Sequence, residues 1–177
     1  QRQICIRDRV NAALDFGLNQ FPNDLTLSLI KVEVLNSKQL VDDSYMLLKS
    51  LKQFYPNNIE VLYNLGKIYA ITDRIQTAKN YFENAFDLIR VNDSYNDLLS
   101  DIAYEFLQIG QNLQAIHVMK RIVEIKPEDE STMMELGIAF HESGLIDEAI
   151  IYFTEIIDSN PYSHIAWFNL GTLHNVK

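Results

Sequence analysis

The residues able to do chemistry are few, and their spacing does not suit it. The four histidines, His117, His141, His164 and His174, form neither a His-Glu-x-x-His pair nor a Cys-His zinc spacing. The single cysteine, Cys5, excludes an internal disulfide framework and a thiolate metal cluster. Asn92-Asp93-Ser94-Tyr95-Asn96-Asp97 is rich in oxygen donors. It lacks the glycine turn and terminal bidentate glutamate of a calcium loop, and a helix cap at Asp93 or Ser94 explains it better. Asp147-Glu148 is an acidic pair suited to the first turn of a helix. Nothing presses its carboxylates together in an apolar pocket, as acid–base catalysis requires. There is no glycine-rich phosphate loop and no nucleophile elbow. The expectation is a non-catalytic chain with no metal and no cofactor.

Composition points the same way. The 177 residues are 47% hydrophobic and 22% charged, with 9 Phe, 9 Tyr and only 6 Gly, which suits a packed chain rather than a disordered one. No apolar run of about 18 residues is present to span a membrane, and no signal peptide is legible, so of a secreted and a cytoplasmic location the cytoplasmic one is expected. Asp and Glu number 24 against 15 Lys and Arg, giving a net charge of −9. A surface that tracks phosphates needs clustered cations, so nucleic acid is an unsuitable partner.

The elements that position these residues are set by four prolines. Pro22 and Pro56 are 34 residues apart, as are Pro127 and Pro161, while Pro56 and Pro127 are separated by 71. A period of about 34 is the mark of stacked helix pairs. Units are expected to begin at Leu25, Ile59, Asn96, Glu130 and His164. In the Ile59 unit, Leu62, Leu65-Gly66 and Tyr69 share one helical face, and Ala78, Phe82 and Ala85 share the next. Thr72-Asp73-Arg74 separates the two helices, with Thr or Asp able to cap the second. The Glu130 unit repeats the pattern with Met133, Leu136-Gly137, Phe140, Ala149, Phe153 and Ile156, and Gly144 suits a left-handed turn. The Asn96 unit is looser: Leu99, Ile102-Ala103, Phe106, Gly110, Ala115, Met119 and Ile122. The last opens with Trp167, Leu170-Gly171 and His174.

These residues resemble the tetratricopeptide repeat, whose pattern runs W-x-x-L-G-x-x-Y, then A-x-x-x-F, then P. The resemblance covers residues 25–177. It implies an all-α fold, a right-handed superhelical solenoid of antiparallel helix pairs with about ten helices. Residues 11–24 are expected to be the second helix of a preceding repeat. The following divisions are 25–58 (degenerate), 59–95 (with an inserted junction), 96–129, 130–163 and 164–177 (a first helix alone). Gly66, Ala103, Gly137 and Gly171 are expected where paired helices approach closely, opposite Ala78, Ala115 and Ala149. Tyr69, Phe82, Phe106, Phe140 and Phe153 are expected to fill the space between successive pairs. Two departures stand out. The Leu25 unit has Lys31-Val32 for Leu-Gly and Ser44 for Ala, so altered packing is expected there. Arg90 replaces a proline, and three residues are inserted around Val91–Tyr95, where a longer loop or an extended helix is expected.

The resemblance implies that first helices line a concave groove that takes a peptide. Its lining would be Glu60, Tyr63, Asn64, Lys67 and Ile71, then Asp97, Ser100, Asp101, Tyr104 and Gln108. Ser131, Met134, Glu135, Ile138, His141 and Glu142 follow, then Phe168, Asn169 and Thr172. Some relatives clamp a C-terminal carboxylate with Lys, Asn and Arg. Asn64 matches one clamp position, but Asp97 and Asp101 stand where cations belong and would repel a carboxylate. The expected ligand is therefore a basic or basic-apolar protein segment. The alternatives are an arm of a larger enzyme or signalling protein, and self-association through exposed repeat ends.

Residues 1–10 resemble a translated sequencing-adapter fragment, with Ile4 where Met is usual. They are set aside from the fold, and Cys5 is given no role. The alternative is the start of an amphipathic helix through Ile4, Ile6 and Val10. Gln1 in place of Met, and the unfinished last unit, lead to the expectation of a longer parent protein.

Overall fold

The computed structural model describes residues 2–90 and 95–174, which form ten α-helices and no strand. They are α1 (Arg2–Gln20), α2 (Leu25–Ser37), α3 (Val41–Phe54), α4 (Ile59–Ile71), α5 (Ile75–Ile89), α6 (Leu98–Gln108), α7 (Asn112–Ile125), α8 (Glu130–Glu142), α9 (Ile146–Ser159) and α10 (His164–His174). The chain divides into two units, Gln1–Leu88 and Ile89–Lys177. In the first, α1 packs on α2, α2 on α3 and α3 on α4; in the second, each of α6 to α9 packs on its successor. None of the described helices is long and apolar enough to cross a membrane.

The prolines act through the caps around them. Tyr55, Lys126 and Asn160 close α3, α7 and α9, each donating its N–H to the carbonyl four residues back at 2.7 Å. Proline follows immediately, and it cannot continue a helix because it lacks the N–H donor. Two residues past Pro22, Pro56 and Pro127 stand the next N-caps, Asp24, Asn58 and Asp129. Their carboxylate or amide oxygens accept from Leu27, Val61 and Thr132 at 2.8, 2.9 and 3.2 Å. Where Arg90 replaces proline this device is absent. Helix α6 starts at Leu98, two residues beyond Asn96, and Asp97 before it makes no side-chain cap bond. The insertion at Val91–Ser94, with the cap expected at Asp93 or Ser94, lies outside the described residues.

The turns inside the pairs use a left-handed residue. Gln39, Asp73, Gly110 and Gly144 have φ of 59°, 58°, 70° and 74°. Asp73 is therefore the pivot of the α4–α5 turn. Thr72 donates its hydroxyl back to the Ile68 carbonyl at 2.9 Å. Neither side chain caps α5, contrary to the capping role expected of them.

Glycine and phenylalanine together form the seam inside a pair. A Cβ on Gly66 would lie 2.5 Å from Phe82 Cε1, and one on Gly137 2.7 Å from Phe153 Cε1. Both rings are fully buried. Phe82 and Phe153 thus fill the contact within a pair, not the space between pairs as the pattern suggested. Tyr69 spans both roles, stacking on Tyr81 of its own pair at 5.3 Å and meeting Tyr45 of the preceding pair edge-on at 5.9 Å. Gly171 departs from expectation, because a Cβ there would meet nothing within 4 Å.

The degenerate repeat keeps the seam by redistributing volume. Val32 and Leu48 stand at the register of Gly66 and Phe82, and both are fully buried in one apolar cluster with Leu51, Val61, Leu65 and Ile68. A larger residue on α2 is matched by a smaller one on α3. Ala103 and Met119 occupy the same two places in the Leu98 pair, also buried. Lys31, at the leucine position, runs its stem along the helices and brings its ammonium to Asn11 and Asp15 of α1, the latter at 2.8 Å. Ser44, at the alanine position, is fully buried with no partner for its hydroxyl. Ser44→Ala is expected to raise stability by about 1 kcal/mol, because it removes an unsatisfied polar group without opening a cavity. An unchanged or lower urea midpoint would contradict this.

Candidate peptide-binding site

The residues expected to line a groove fall in both units, and each unit is taken by itself. On α4, Glu60, Asn64 and Lys67 are half-buried and Ile71 is exposed. Tyr63, expected on the open face, is only 9% exposed, and its ring packs 6.1 Å from that of Phe82. Lys67 lies over the outer face of Tyr63 at 5.3 Å. Asn64 turns its amide onto the Glu60 carbonyl at 2.8 Å, which ties it to its own helix. What α4 offers is Ile71, 67% exposed at its C-terminal end, with Lys67 one turn before it and Glu60 at the other end of the helix.

The second unit repeats a stripe at intervals of 34 residues. Asp97, Ser131 and Ile165 begin it; Ser100, Met134 and Phe168 follow. Asp101, Glu135 and Asn169 share the next register, and Tyr104, Ile138 and Thr172 the one after. Most of these are exposed or half-exposed, because the buried positions of α6 and α8 lie on their other faces. Tyr104 and Phe168 are 58% and 70% exposed. The stripes on α8 and α10 meet where the Asn169 amide donates to Met134 Sδ at 3.8 Å. Ile165, not singled out from the sequence, is exposed on the same α10 face.

The carboxylates of this face have few partners. Asp97 is fully exposed, with Lys126 Nζ at 3.9 Å, a surface pair that water screens heavily. Glu142 accepts from the Asn112 amide at 3.4 Å, while Gln108 and His141 lie near the C-terminal ends of α6 and α8. Elsewhere the carboxylates brace the fold. Glu130 accepts from Asn160 at 3.1 Å and from Ser163 at 3.0 Å, tying α8 to the α9–α10 connection. Among the described residues, no group of three or more His, Cys, Asp and Glu side chains is placed to hold a metal ion.

Three shifted groups lie in the first unit, while Tyr152 of the second is raised by burial and by Glu155. Tyr69 is pushed up to about 12 by its hydrogen bond with Tyr45, then by burial and by the neighbouring phenols. Burial raises Tyr81 in the same direction and lowers Lys52. A phenol held neutral in the folded state stabilises it fully below its ordinary value of 10.0, and that support is lost as pH rises through about 12. In an absorbance titration of tyrosinate, Tyr69→Phe should therefore delete a late phase above the main one. If the main phase shrinks instead, the coupling is wrong.

The paired helices with their glycine–phenylalanine seams define an array of helical repeats. Residues 59–92 match the tetratricopeptide repeat family model. It is 26% identical over 114 residues to the BBSome complex member BBS4 of Bos taurus, a match covering 64% of this chain and 21% of that protein. The matched region is thus about a fifth of that relative's length. Among solved structures it resembles YrrB, described as a tetratricopeptide repeat protein with an unusual peptide-binding site. The TM-score is 0.69 at 19% identity, over 93% of this chain and 83% of that one. It also resembles MamA, with a TM-score of 0.67 at 24% identity, over 89% and 90% of the two chains.

Proposed function

We propose that this chain is a non-catalytic scaffold, in a cytoplasmic setting, that holds a basic and apolar protein segment on the first-helix face of residues 89–177. One observation carries the reading. Residues 1–88 contain 10 basic and 10 acidic residues, whereas residues 89–177 contain 5 and 14, so the second unit holds the whole net charge of −9. Asp97, before α6, and Asp101, Glu135 and Glu142, on α6 and α8, share these helices' exposed registers with Tyr104, Met134 and Ile138, and Phe168 repeats the Met134 register on α10, which supports the reading. Alternating carboxylates and exposed apolar side chains complement a segment with lysines or arginines on one side and large apolar residues on the other. YrrB, with a similar fold, is described as having a peptide-binding site, which supports the same kind of ligand here.

The test is fluorescence anisotropy with a labelled peptide of interleaved lysine and leucine, against an analogue with every lysine replaced by glutamine. The lysine peptide is expected to bind at least about tenfold more tightly at low salt, with the advantage shrinking as salt screens the charges. Equal affinity for the two peptides would sink the reading.

A further inference from the structure

The first unit carries a cluster of opposite character that this reading does not use. Tyr45 of α3, Tyr69 of α4 and Tyr81 of α5 form a continuous ladder, edge-on and then stacked, with centroids 5.9 and 5.3 Å apart. Three cations lie on it. Lys49 is over Tyr45 at 5.9 Å, Arg74 over Tyr69 at 5.8 Å and Lys52 over Tyr81 at 6.0 Å. Asp42, Asp43 and Asp73 occur on the same segments, yet among the described residues no carboxylate pairs with any of the three cations. Lys52 also donates to the Pro56 carbonyl. The Tyr45 and Tyr69 hydroxyls are 3.3 Å apart, so one donates to the other and the second retains a proton to give outward.

The charged functions of the cluster, three cations, are all donors, and the outer phenol has a proton to give as well. A cation resting on an aromatic face is held in place and partly desolvated, which strengthens its interaction with an arriving anion. Lys49 and Arg74 are exposed, and the three rings are half-buried, so the ladder is reachable from solvent. The chemistry that complements three cations and a phenol is an acceptor-only, negatively charged group.

We propose that the Tyr45–Tyr69–Tyr81 ladder with Lys49, Lys52 and Arg74 is a docking surface for an acidic segment of a partner protein, bound through its Asp and Glu carboxylates. The second helices α3 and α5 contribute most of it, so it is separate from the first-helix face discussed above. The occupant is argued from charge complementarity: none of the three cations on the ladder is paired with a carboxylate of the described residues, so an acidic segment would supply the missing counter-charge.

The experiment uses the full chain and a fluorescein-labelled peptide of interleaved glutamate and leucine, with a glutamine-for-glutamate analogue as control. The acidic peptide should bind saturably, and binding should weaken with salt. The double variant Lys49→Glu with Arg74→Glu should lose at least about tenfold in affinity, two exposed charges being reversed at the contact. Circular dichroism of the double variant should match that of the parent chain. Tyr69→Phe, which keeps the ring and removes the hydroxyl, should weaken binding by a smaller factor. Equal binding of the glutamine analogue, or unchanged binding by the double variant, overturns the proposal. So does tighter binding of a single-stranded oligonucleotide at the same residues. Sedimentation that shows a dimer dissolved by Arg74→Glu would assign the surface to a second copy instead and overturn the acidic-partner assignment. Failure of the lysine peptide at the other face leaves each of these outcomes unaffected.

Discussion

Phe153→Ala should lower stability by about 3–5 kcal/mol, the range found when a buried aromatic side chain is truncated and its cavity cannot close. The ring is fully buried, and its edge seals the α8–α9 contact against the bare backbone at Gly137. Closing that space would require α9, whose Ala149 is already fully buried, to move towards α8. The converse change is also costly. Gly137→Ala would put a Cβ 2.7 Å from the ring and should cost about 1–3 kcal/mol through overpacking. The two positions are coupled, so Gly137→Ala with Phe153→Leu should be more stable than the sum of the single changes predicts. The chain contains its own precedent in Val32 and Leu48, a middle-sized pair buried at the same register. Urea midpoints of the four proteins at constant slope measure this, and strict additivity would contradict a shared seam.

The second large effect is on binding. Asp101→Lys with Glu135→Lys reverses two charges at equivalent places on α6 and α8, both exposed. Neither carboxylate supports the fold, so stability should change little. Affinity for a basic-apolar peptide should fall by at least about tenfold, and the remaining binding should lose most of its salt dependence. The salt response separates a charge contact from lost packing. A Phe168→Ala variant should weaken binding too, but with the salt response retained, because it removes apolar contact only. If the double reversal binds as well as the parent chain, the acidic stripe is a solvated face.

Much of the fold was legible because its signals are local. Proline's missing donor stops a helix wherever it falls, and the paired small and large residues recur at helical spacing. The N-caps were legible too, had the second residue after Pro22, Pro56 and Pro127 been read with its proline. The turn chemistry was less accessible. Gly144 announces a left-handed residue, but Asp73 and Gln39 take the same conformation against their intrinsic preference, held there by the helices on either side. Helix α6 starts at Leu98, two residues later than the period predicts, after the junction where Arg90 stands in place of proline. At the candidate face, periodicity gives the register of a side chain but not what covers it. That is why Tyr63 reads as exposed and is instead sheltered by Phe82 and Lys67. The partition of charge between residues 1–88 and 89–177 could have been counted at once, but only the structure says where to divide the count. The tyrosine ladder was illegible for a similar reason: it joins residues from three helices that share no motif.

The four methionines offer the most direct measurement of where a peptide sits. Met134 lies on the proposed face and Met133 and Met119 are in the core, while Met46 is 63% exposed on α3 of the other unit. In a methyl NMR titration of the full chain with the lysine–leucine peptide, the Met134 resonance should move first and furthest, with Met46 still. Movement of Met46 without Met134, or no saturable movement at all, would contradict a basic-segment site on the first helices of residues 89–177.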